Sequence, residues 1–195
     1  MRTYEEIVDE LLGSMKDVGL EPYNIRENIE LRSLYKEFNC NCGVDSANAP
    51  HLISAQINFG WDSLLSATSI YGDSCALYHD DFVDCPHDES NLEASIELEI
   101  SYNIEIHEDL KKDTSHLSNE LFSFFNKIME HENIPTIHWK VTANKNGDTY
   151  ISAIKATHYW ELEITDDQND FEGIFLEVKD VLAGLYELPF IKNQH

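Results

Sequence analysis

Between Ala94 and Ile106, apolar residues fall on every second position: Ile96, Leu98, Ile100, Tyr102, Ile104 and Ile106. Glu97, Glu99, Ser101, Asn103 and Glu105 sit between them. A period of two over this length specifies a β-strand with one buried face and one wet face. A helix would scatter the same apolar residues around its circumference. The stretch therefore predicts the spine of an antiparallel sheet. Helices should cover its apolar side, and its carboxylates should look at solvent or at a partner.

The flanking sequence supplies the helices. Residues 3–19 carry Ile7, Val8, Leu11, Leu12, Met15 and Val18 as one apolar stripe, with Thr3 and Glu6 at capping-box spacing and Gly19 as a stop. Asn24 to Phe38 reads as a second helix, with Ile25, Ile29, Leu34, Tyr35 and Phe38 inward. Residues 39–50 are small, polar and turn-rich, and read as a loop. Ile53, Ala55, Ile57 and Phe59 alternate as a strand, and Gly60-Trp61-Asp62 reads as the turn after it. Leu65–Tyr71 and Cys75–Val83 are further strand-like runs, and 84–93 reads as an acidic loop.

Beyond the spine, a helix starts at Thr114 or Ser115, with Leu117, Leu121, Phe124, Phe125 and Ile128 inward. Ile137, Trp139, Val141 and Ala143 alternate, and Asn146-Gly147 marks a hairpin turn leading to the strand Tyr150–Ile164. Phe171, Ile174, Phe175, Val178, Val181, Leu182 and Leu185 line a last helix. The expected fold class is α+β: an antiparallel sheet with helices on one face, in the order α-α-β-β-β-β-α-β-β-α. One domain over 1–195 is expected. Its parts would be N-terminal helices (1–38), a loop (39–50) and a sheet-and-helix core (51–188).

This order resembles the type III secretion chaperone-like fold, which includes the secretion chaperones and the YbjN-like proteins. The resemblance spans roughly 3–19 and 51–188. It rests most on the tail: the helix bearing Asn119 and Asn126, the hairpin at Asn146-Gly147-Asp148, and the closing helix. It implies protein binding without chemistry, a homodimer, and a partner segment held in extended form.

Charge bears on partners. Lys and Arg number 13 against 37 Asp and Glu, a net charge of −24. Such a surface repels phosphate backbones and draws basic proteins. Glu97, Glu99 and Glu105 share one face of the spine, at roughly 6.6 Å steps between same-face neighbours. With Asp80, Asp81, Asp84, Asp88 and Glu89 they are the candidate partner-binding residues. The plainer reading of the same carboxylates is the solvated face of an ordinary sheet. A rival functional reading is a mimic of nucleic acid that occupies a DNA- or RNA-acting enzyme.

Cys40, Cys42, Cys75, Cys85 and His87, with His79 as a spare, are the residues from which a zinc site could be drawn. Their spacing is poor, since Cys-x-Cys is less typical than Cys-x-x-Cys, so no metal and no cofactor is expected. His79-Asp80-Asp81 lacks the further ligands that a metal hydrolase needs. No nucleophile elbow, P-loop, dinucleotide fingerprint or H-E-x-x-H occurs, and no enzyme is expected. The opening Met1-Arg2-Thr3-Tyr4-Glu5-Glu6 lacks the apolar core of a signal peptide, and no apolar run would span a bilayer. The expected setting is the cytoplasm, with free thiols and no membrane partner.

Overall fold

The computed structural model describes residues 4–31, 35–50, 52–64, 95–106, 114–128, 135–163 and 171–192. Its centre is a six-stranded antiparallel sheet in the order β1-β2-β3-β4-β6-β5. The strands are β1 (Tyr23–Leu31), β2 (Tyr35–Asp45), β3 (Ile53–Leu64), β4 (Ser95–Glu105), β5 (Thr136–Ala143) and β6 (Thr149–Glu163). The helices are α1 (Tyr4–Asp17), α2 (Thr114–Ile128), α3 (Phe171–Tyr186) and the short α4 (Pro189–Lys192). The class is α+β, as the alternation at 94–106 requires.

The spine, β4, is central, with β3 on one side and β6 on the other. Ile96, Leu98, Ile100, Tyr102 and Ile104 are all fully buried, and Glu97 and Glu105 are exposed. The buried face continues through Phe38, Cys40, Cys42 and Val44 on β2, Ile53, Ala55, Ile57 and Phe59 on β3, and Ile154 and Ala156 on β6. Helix residues complete the same core: Ile7, Leu11 and Met15 from α1, Leu117, Leu121 and Phe125 from α2, and all seven expected residues of α3. Helix α3 lies between the other two and packs over β3. Gly184 permits its close approach to α2, because a Cβ there would fall 2.6 Å from the Phe124 ring.

Local chemistry ends the elements where they end. Helix α1 stops in a Schellman motif: Leu20 N donates to Met15 O at 2.8 Å and Gly19 N to Lys16 O at 2.9 Å, with Gly19 at φ +82°. Lys179 of α3 donates to Val18 O at 2.7 Å, which satisfies another exposed carbonyl there. The β5–β6 turn is built on Asn144, whose Oδ1 accepts from Asn146 N at 2.9 Å and Asp148 N at 3.0 Å. Gly147 takes φ +85°, as that turn demands.

Three expectations are corrected. The second helix expected over 24–38 does not form: residues 24–31 lie in β1 and 35–38 in the start of β2. Residues 39–50 are not a loop throughout, because β2 runs to Asp45. The sheet-and-helix core therefore begins before residue 51, and residues 1–38 are not all helical. Gly60-Trp61-Asp62 is not a turn, since β3 continues to Leu64, paired with β2 to that residue and with β4 as far as Trp61. The order among the described residues is α-β-β-β-β-α-β-β-α-α. The runs expected at Leu65–Tyr71 and Cys75–Val83, and the loop at 84–93, lie outside the described residues.

Candidate functional site

The face of the sheet opposite the core is the candidate site. The strand register arranges its side chains in rows that run across the strands. In an antiparallel sheet, directly opposed residues bring their Cβ atoms within about 5 Å of each other. The first row is Asn28, Asn39, Gly60, Glu97 and Glu161; the second is Arg26, Asn41, Asn58, Glu99 and Tyr159. The third is Tyr23, Gly43, Gln56, Ser101, Thr157 and Thr136. The fourth is Asp45, Ser54, Asn103, Lys155 and His138, and the fifth is Glu105, Ala153 and Lys140.

The first row places two carboxylates directly opposite each other. Glu97 on β4 faces Glu161 on β6, and both are exposed. Among the described residues no ion pair reaches either one. Like charges in this position destabilise a sheet. A cation brought to them by another molecule would relieve that repulsion.

Glu99 behaves differently. It is half-buried and accepts hydrogen bonds from Asn58 Nδ2 at 3.3 Å and Ser101 Oγ at 3.1 Å. Lys155 Nζ lies 3.9 Å away. The Tyr159 hydroxyl also bonds to it, and the adjacent negative charge raises that phenol above its usual pKa. Lys155 stands in the fourth row and Glu99 in the second, so their ion pair spans the third row. Beneath it the hydroxyls of Ser101 and Thr157 lie 3.1 Å apart, with residue exposures of only 1% and 4%. That cover explains why two small polar residues on an otherwise open face are buried.

Two shallow cavities lie side by side on the second to fifth rows. One, of about 380 Å³, runs from Tyr23 and Arg26 to Asn103. The other, of about 510 Å³, runs from Ser54 and Gln56 to His138 and Lys140. They share Ser54, Gln56 and Asn103. The tip of the Tyr23 ring lies over Gly43, where a Cβ would come within 2.7 Å of it, and its hydroxyl donates to Asp45 Oδ1 at 2.9 Å. Burial, then that bond and the charge of Asp45, raise the Tyr23 pKa.

The expected site residues thus divide. Glu97, Glu99 and Glu105 share the open face; the first and last are exposed, and Glu99 is held by neighbours. Asp80, Asp81, Asp84, Asp88 and Glu89 lie outside the described residues, as do His79, Cys75, Cys85 and His87. Cys40 and Cys42 are free thiols on the core side of β2, and Cys42 Sγ lies 3.9 Å from Met15 Sδ. Burial, then the charge of Glu27, pushes Cys40 up to about 11; burial, then Cys40, pushes Cys42 up to about 12. A buried thiol held protonated is a poor ligand, because metals bind the thiolate. Among the described residues no three His, Cys, Asp or Glu side chains group as a metal site.

Sequence reasoning missed the amides and cations of this face: Asn41, Gln56, Asn103, Arg26, Lys140 and Lys155. The signal for some of them was present. Asn39, Asn41, Gly43 and Asp45 alternate with Phe38, Cys40, Cys42 and Val44, a period of two written in small residues.

No family model, curated protein or solved structure matches this chain.

Proposed function

We propose that the protein is a non-enzymatic binding module that holds or masks a partner protein through the open face of its sheet, as a chaperone or an immunity protein does. The observation that carries this reading is the Glu97–Glu161 pair, which no ion pair reaches among the described residues. A Lys or Arg of a basic partner placed between these carboxylates relieves their mutual repulsion, and the net charge of −24 speeds the encounter. Among the described residues β1 and β5 are the edge strands, which leaves room for an extended segment to add to the sheet. Two copies of the chain would bring like-charged rows together, so the open face suits a different protein better than a homodimer contact.

A nucleic-acid mimic calls for a long double row of carboxylates. Here Arg26, Lys155 and Lys140 interrupt the acidic positions, which favours the protein-binding reading.

Affinity capture from the native cell tests the proposal. The wild-type chain should retain a basic protein at low salt and release it at high salt, because exposed charges are screened. The double variant Glu97→Gln/Glu161→Gln should lose most of that capture. Capture that ignores both salt and the substitutions would overturn it.

A further inference from the structure

A third cavity lies where the stop of α1, the β2–β3 turn and α3 meet. It measures about 610 Å³, within the range of about 300–1,000 Å³ that small-molecule sites occupy. Its floor is Leu20, Ser46 and Leu182, all buried. Ser46 is already engaged there: its N–H donates to Ile53 O at 2.9 Å and its hydroxyl to Leu182 O at 3.4 Å. The deep end therefore offers no free side-chain donor. A group seated in it has to be apolar, since burying a polar group without a partner is costly. Pro22, Pro50 and Ala183 carry the apolar wall outward.

The mouth carries charge of both signs. Lys179 comes from α3, Glu21 from the segment after α1 and Asp45 from the end of β2, and all three are exposed. They are the charged residues of the lining. Asp45 takes the Tyr23 hydroxyl, and Lys179 uses one of its three donors on Val18 O at 2.7 Å. That bond holds the ammonium over the end of α1. Among the described residues no ion pair reaches Lys179, Glu21 or Asp45. A simple anion brought to this opening would meet Lys179 but also two carboxylates. A simple cation would meet the carboxylates but also the Lys179 ammonium. A molecule bearing both charges at one end, and an apolar group at the other, matches the mouth and the floor together.

We propose that this cavity binds a free α-amino acid with a large apolar side chain. The side chain lies on Leu20 and Leu182, the carboxylate meets Lys179, and the ammonium meets Glu21 with Asp45 beside it. The site does not depend on the protein-docking reading, whose Glu97–Glu161 pair lies in the first row of the open face.

The test is titration of the full chain with L-phenylalanine, L-leucine, glycine and N-acetyl-L-phenylalaninamide. It is read by calorimetry and by backbone amide shifts. L-Phenylalanine or L-leucine should shift Leu20, Ser46 and Ala183, and glycine, with no side chain for the floor, should not. The blocked derivative keeps the ring and loses both charges. It should bind at least about tenfold more weakly than L-phenylalanine, the scale of one or two lost charged hydrogen bonds. Lys179→Gln and Glu21→Gln should each weaken L-phenylalanine and narrow that gap, and Glu97→Gln should leave it unchanged. Ala183→Leu, which fills the cavity from α3 and leaves both charges in place, should abolish binding. No shift with either apolar amino acid overturns the proposal. The blocked derivative binding as tightly as L-phenylalanine also overturns it, because the cavity would then be a socket for a partner's side chain.

Discussion

Lys155 on β6 reaches Glu99 on β4 at 3.9 Å, and the line between them crosses the hydrogen-bonded Ser101 and Thr157 hydroxyls. Glu99 also takes the Tyr159 hydroxyl, so one carboxylate ties together β3, β4 and β6 on the open face. Glu99→Gln keeps the shape and removes the charge. We expect the Tyr159 phenol to ionise at lower pH in this variant, since the negative charge that raises it is gone. Ultraviolet or magnetic-resonance titration of the phenol checks this, and an unchanged Tyr159 titration would sink it.

The Glu97–Glu161 pair bears on stability as well as on partners. Glu97→Gln/Glu161→Gln should stabilise the isolated chain by roughly 0.2–1 kcal/mol at low ionic strength, the usual range for a cross-strand pair. The gain should shrink as salt is added. Urea denaturation at two salt concentrations measures both effects.

Cys40 and Cys42 make an alkaline prediction. Their thiols rise from the ordinary value of 9.0 to about 11 and about 12 in the fold. Below pH 9 both states hold the proton, so these groups give no pH dependence there. As pH climbs from about 9 towards 12, the unfolded chain loses the proton first and stability falls. Denaturation across that range should show a smaller loss for Cys40→Ala/Cys42→Ala than for the wild type. A thiol reagent at neutral pH should label the pair only as fast as the core opens.

Tyr102 is fully buried beside Phe125, with ring centroids 6.0 Å apart, and its hydroxyl has no hydrogen-bond partner among the described residues. Burial, then the charge of Glu177, holds that phenol well above its usual range. Tyr102→Phe removes the stranded hydroxyl and keeps the ring. We expect it to raise stability by about 1 kcal/mol, the low end of the cost of an unsatisfied buried group. A lower denaturation midpoint for this variant would mean that the hydroxyl is satisfied.

How much of this was legible follows from which residues carry two faces. β4 could be read directly because Ile and Leu alternate with Glu, and one side is wholly buried. Helix α3 could be read because its seven inward residues are all large and apolar. The Asn144–Asp148 turn announced itself through Gly147. β1 could not be read: it is an edge strand exposed on both sides, so Ile25 and Ile29 fell at helical spacing by chance. β2 was obscured by its composition, because Cys, Asn and Gly resemble a loop even when they alternate. The two cavities on the open face were hidden for another reason. Their residues come from six strands, and only the register brings Arg26, Asn103 and Lys140 onto one face.

The edge strand has a further consequence. Among the described residues no strand pairs with the outer side of β1, and Ile25 and Ile29 are 42% and 49% exposed. An apolar margin of this kind would invite edge-to-edge pairing of sheets into fibres. Glu27 stands between the two isoleucines. Antiparallel pairing of two β1 strands that matched Ile25 with Ile29 would set Glu27 against its own copy. One carboxylate thus guards the margin against its twin, yet leaves it open to any strand that brings a lysine to that position.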